Sequence, residues 1–139
     1  MNIRTVGLVL MLLTSCSSKV EEPLAVEEAL NSEACPLSAE TPMTIAISDA
    51  ITDPKAFDGR LVSFEGYYCA AFEMNAIYET PDCYSEPELG LWLLGVSPFY
   101  SSKGRRVVVT GKFDSRLQGH LEKWPAGVCV AKLVEVNLK

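Results

Sequence analysis

Five short segments rich in β-forming residues limit what this chain can fold into more than any other feature. Residues 61–68 (Leu-Val-Ser-Phe-Glu-Gly-Tyr-Tyr) alternate and favour extended backbone. Residues 75–79, 89–94, 105–113 and 127–136 follow, the last alternating through Val128, Val130, Val134 and Val136. Polar or Gly/Pro-bearing loops separate them, which predicts a mainly β fold: a small five-stranded barrel, closed or nearly so. Gly66 falls inside the first strand and predicts a bulge or tight bend there, while Gly111 falls late in the fourth.

Ahead of the strands, Ile45, Ile47, Ala50 and Ile51 have helical spacing. They predict one short helix, with Ser48 as its cap and Ile51 facing inward. Pro54 suits a first-turn position, and Phe57-Asp58-Gly59-Arg60 reads as the turn into the first strand.

The charge is uneven. The whole chain carries a formal net charge of −6. Residues 17–42 hold Glu21, Glu22, Glu27, Glu28, Glu33 and Glu40 against Lys19 alone, together with Pro23, Pro36 and Pro42. From Met43 onward acids and bases nearly balance. The excess therefore belongs to a segment that reads as an extended acidic tether, since like charges stretch a linker. Leu24, Glu27, Glu28 and Leu30 give it one short helical pattern. No basic field suited to nucleic acid exists, so no nucleic-acid partner is expected.

The extreme N-terminus carries a processing signal. Arg4 precedes an apolar run from Val6 to Leu13, too short for the roughly 20 residues that span a bilayer. The run closes on Leu13-Thr14-Ser15-Cys16, which resembles the lipobox of bacterial lipoproteins. That resemblance implies a signal peptide over residues 1–15, lipid (palmitate among its acyl chains) on Cys16, a tether over residues 16–42 and a domain over residues 43–139. Ser17 in place of aspartate implies the outer membrane, facing the periplasm, rather than the inner membrane.

A second resemblance covers the domain. Ile47-Ser48-Asp49-Ala50-Ile51, Asp53-Pro54, Phe57-Asp58-Gly59-Arg60 and Val62-Ser63-Phe64-Glu65-Gly66-Tyr67 are similar to the opening of OB-fold domains of exported bacterial proteins. Residues 72–78 resemble their first hairpin, and residues 107–113 with Gly119-His120 their fourth strand and the loop after it. The resemblance implies an OB-like barrel and no particular activity.

Four cysteines remain once Cys16 is lipidated, an even number in an exported chain, where disulfides are the default. Three pairings are open. The preferred one staples Cys69 to Cys83 across a hairpin and ties Cys35, at the base of the tether, to Cys129. Cys-x-x-Cys spacing is missing, so neither a metal centre nor a redox motif is expected, and no cofactor is implied.

His120 is the one histidine and sits in a polar loop between the fourth and fifth strands. In an OB-fold that loop and the first hairpin flank the usual ligand face. His120, Glu73, Asn75, Tyr78 and Trp92 are therefore the candidate ligand contacts. The rival role for His120 is ordering its own loop. Tyr67, Tyr68, Phe72 and Trp124 add aromatic surface, although alternation sends about half of these rings inward. The Arg105-Arg106 pair reads as a solvated strand edge, and Glu79, Asp82, Glu86 and Glu88 as a solvated acidic loop. No nucleophile–base pairing has motif spacing, so no catalytic residue is expected. The expected function is a lipid-anchored, non-catalytic envelope module. It would contact an envelope protein, or a small or oligosaccharide ligand, on the barrel face. A structural adaptor without a ligand groove is the alternative, and an enzyme the third.

Overall fold

In the computed structural model, the described residues are Cys35 and residues 38–83, 86–97 and 103–136. Cys16, the lipobox and the pattern at residues 24–30 lie outside them. The elements run β1 (Met43–Thr44), α1 (Ile47–Thr52), β2 (Leu61–Ala71), β3 (Met74–Tyr78), β4 (Gly90–Leu94), β5 (Arg105–Asp114) and β6 (Gly127–Glu135).

β2 is long enough to pair twice: residues 67–71 with β3 and residues 61–68 with β5. The strand order β2-β3-β4-β6-β5 therefore returns to β2 and closes a five-stranded ring, with β4 and β6 parallel. This is the expected OB-like barrel, mainly β and preceded by a short helix. Closure leaves β5 without a free edge, so the expectation of an edge role for Arg105-Arg106 is corrected. Arg106 instead forms an ion pair with Glu65 on β2, and Arg105 pairs with Glu135 on β6 at 3.4 Å.

Alternation places one face of each strand inside. Phe64, Ile77, Leu91, Val109 and Val128 are fully buried in the central cluster, and Ile47 and Ala50 of α1 join it. Two local expectations shift. The chain just before α1 forms β1, parallel to β2, and Ser48 lies within the helix rather than capping it. Its backbone N–H donates to Glu79 Oε1 at 2.9 Å, so a carboxylate from the end of β3 serves the helix start. Ile51 is half-buried and packs against the central cluster, as expected. Gly66 keeps continuous register on both sides, so it marks no bulge. A Cβ there would lie 2.6 Å from the Tyr78 carbonyl oxygen and 2.8 Å from Ile47 Cδ1, so the glycine serves close packing. The register shift lies instead between Thr110 and Gly111, where β5 meets β6.

A second cluster forms on the outside. Cys69, Ala76, Tyr78, Cys83 and Trp124 are buried there, with Met74 and Trp92 packed against them. β3 is thus covered on both faces. The disulfides follow the preferred pairing, Cys69 with Cys83 and Cys35 with Cys129. No helix among the described residues is long and apolar enough to cross a membrane.

The turn before β2 is tied to the loop after β5. Asp58 Oδ1 accepts the Ser115 backbone N–H at 2.8 Å. That bond, with the Ser115 side chain and then the Arg116 and Lys112 charges, holds the Asp58 carboxyl below its ordinary 3.8. A depressed folded value means stabilisation present above the unfolded value and lost as pH falls through the folded one. Acid titration of the urea midpoint should therefore show an added loss below pH 3.8 in the wild type that is missing in Asp58→Asn.

Candidate functional site

Two loops meet at one end of the barrel. The β2–β3 hairpin turns through Phe72 and Glu73, because Ala71 and Met74 are still paired. The β5–β6 loop brings His120 to it, with Nε2 3.1 Å from Glu73 Oε2. Both side chains stay partly exposed, 35% for His120 and 44% for Glu73. Beside this contact, Phe72 is 84% exposed and Leu121 70% exposed. Removing such side chains from water is favourable by about 1.5–3 kcal/mol each, so they are available binding surface.

The backbone of these loops is held in costly conformations. Among the described residues, Glu73, Leu121 and Glu122 are the non-glycine residues with positive φ, at 58°, 55° and 54°. Each such residue costs on the order of 1 kcal/mol and persists only where its surroundings hold it. Glu73 is one partner of the contact, and Leu121 and Glu122 directly follow the other.

What holds the β5–β6 loop is aromatic packing. Gly119 (φ 66°, ψ −155°) lies against Trp92, and the Trp92 and Trp124 ring centroids are 4.8 Å apart. A Cβ on Gly119 would sit 2.4 Å from Trp92 Cδ2 and 2.9 Å from Trp124 Cε3. Gly119→Ala should therefore displace the loop, part His120 from Glu73 and cost about 1–3 kcal/mol. Both tryptophans of the chain lie here, so the emission spectrum and urea midpoint of that variant report the change directly.

Of the other expected contacts, Asn75 is engaged by backbone carbonyls and Tyr78 is buried in the outer cluster. Asn75 Nδ2 donates to the Leu93 and Val96 carbonyls at 2.9 and 3.2 Å, bracing the end of β4, while its buried Oδ1 has no partner. Tyr78 is 1% exposed, and its hydroxyl accepts from Trp124 Nε1 at 3.3 Å. Burial raises the Tyr78 pKa, the Trp124 bond opposes the shift, and the Glu88 charge adds to it. Tyr68 is buried in the central cluster and Trp124 in the outer one, so the protein's own rings fill the outer face of β3. Among the described residues Phe72 is the strongly exposed ring, with Phe57, Tyr67 and Trp92 half-buried.

Compared with protein-family models, curated proteins and solved structures, the chain has no significant match. The site is therefore read from its own geometry. Leu121 and the strained turns were missed at the level of sequence, since neither loop carries the Asn-Gly or Asp-Gly signal that marks positive φ.

Proposed function

We propose that this chain is a lipid-anchored, non-catalytic binding module of a bacterial cell envelope. Lipid on Cys16 holds it at the membrane, the outer one facing the periplasm, and the paired loop tips contact an envelope protein. The observation that carries this reading is the convergence of two strained loops at His120 and Glu73, with Phe72 and Leu121 exposed beside them. Exposed apolar groups around a small polar centre suit a protein surface. An oligosaccharide would require a row of accessible rings, and Tyr68, Tyr78 and Trp124 are buried. An adaptor without a groove is the second reading, favoured by the self-filled outer face of β3.

The test uses the full chain in mild detergent as bait. The reading expects one envelope protein recovered in stoichiometric amount, and its loss with Phe72→Ser combined with Leu121→Ser. Unchanged tryptophan emission checks that the double variant is folded. Equal recovery of that protein by both forms would refute loop-tip binding and favour the adaptor. Fatty-acid labelling retained by the wild type and lost in Cys16→Ala tests the anchor.

A further inference from the structure

The far end of β3 carries a different feature. A cleft of 320 Å³ opens between α1 and the chain that follows β3. It is lined by Ser48, Ile51 and Thr52 of α1 and by Tyr78, Glu79, Thr80 and Leu89. Leu89 is 61% exposed, an apolar lip with nothing over it among the described residues. The volume is at the lower end of the roughly 300–1,000 Å³ typical of ligand sites, so it suits a small group rather than a sugar chain or a whole peptide.

Acids outnumber bases in the chain around it, although Gly104 N–H donates to the Pro81 carbonyl at 3.0 Å and brings Lys103 close to that chain. No Lys, Arg or His occurs between Leu61 and Ser102, while Glu65, Glu73, Glu79, Asp82, Glu86 and Glu88 do. Glu65 is matched by Arg106 and Glu73 by His120, and Asp82 has a partner of its own. Glu79 spends only one oxygen, Oε1, on the Ser48 backbone N–H. Its second oxygen has no partner among the described residues. The Glu88 carboxylate adds to the negative field at Tyr78.

We infer that this cleft binds a primary ammonium group carried on a short apolar stem. The ammonium has three donors and no acceptor, and the lining supplies the Glu79 carboxylate and the Ser48 and Thr80 hydroxyls. The stem lies between Ile51 and Leu89. A planar guanidinium is disfavoured, because only one carboxylate oxygen is open to it. The same chemistry has two sources, a free small amine or a lysine side chain of another protein. The site is separate from the loop tips and does not rest on the binding role proposed for them.

The experiment is a titration followed by amide chemical shifts, using the full ¹⁵N-labelled chain in a non-ionic detergent. The probes are isopentylamine and acetyl-Leu-Lys-Leu-amide, with isopentanol and the Nε-acetyl-lysine peptide as uncharged controls. Saturable shifts at Ser48, Ile51, Thr52, Glu79, Thr80 and Leu89 are expected with the charged probes only. Response to both charged probes identifies a small amine as sufficient; response to the peptide alone identifies a lysine of a partner. Glu79→Gln keeps an acceptor for the Ser48 N–H and removes only the charge, so it should weaken binding roughly tenfold with the fold intact. Leu89→Ser should weaken it through the apolar wall. No saturable shift with either charged probe, equal shifts with the uncharged controls, or full affinity in Glu79→Gln would overturn the site.

Discussion

Removing the disulfide between Cys35 and Cys129 by the double substitution Cys35→Ala and Cys129→Ala is expected to cost about 4.6 kcal/mol in urea denaturation. The bond closes a loop of sequence separation 94, which spans nearly the whole barrel. In the chain-entropy account the unfolded chain is the state most affected, because a long loop loses the most freedom on closure. The Cys69–Cys83 bond closes a separation of only 14, and its removal should cost about 3 kcal/mol on the same grounds. The order of the two losses is the check. A larger loss at Cys69–Cys83 would mean that the buried contacts of that bond with the outer aromatic cluster outweigh loop closure. The bond fixes Cys35 to β6, so under the proposed anchoring at Cys16 it would mark where the tether meets the barrel.

Phe113→Ala is expected to destabilise the barrel by about 3–5 kcal/mol, the range for emptying a buried aromatic site. Phe113 is 0% exposed and meets the Phe57 ring edge-on at 6.3 Å and the Phe64 ring at 6.2 Å. Its backbone also closes the turn before β2, donating to the Arg60 carbonyl and accepting from Gly59 N–H, each at 2.9 Å. The cavity cannot collapse readily, because the surrounding strands are fixed in a closed ring. Urea denaturation measures the loss, and a cost under about 1 kcal/mol would mean that this end of the barrel repacks freely.

The barrel was legible because its strands alternate. Val107, Val109 and Phe113 face inward in β5 as their spacing requires, and the five expected strands match β2 to β6 within three residues. The disulfide pairing was legible because Cys69 and Cys83 flank one hairpin. What failed were positions set by tertiary contact. Ser48 has the chemistry of a cap, yet Glu79 from a distant strand serves the helix start. Gly66 looks like a bulge, yet its lack of a side chain answers to Tyr78 and Ile47. β1 is two residues long, below any periodic signal.

The site was half legible. His120 and Glu73 were expected together from the two loops they occupy, and they meet at 3.1 Å. Tyr78 and Asn75 were expected to face a ligand, but the Tyr78 hydroxyl and the Asn75 amide N–H groups are engaged within the protein instead. Alternation says that Tyr78 lies on the outer face of β3, but it cannot say that Trp124 returns from a later loop to cover that face.

The central claim is that the loop tips touch a protein partner in the envelope. The most direct measurement places a photo-activatable phenylalanine analogue at position 72 of the full chain in living cells, with position 55 on the exposed turn before β2 as control. Light should yield one discrete protein adduct from position 72 and none from position 55. An absence of adducts at position 72, or the same adducts from both positions, would contradict it.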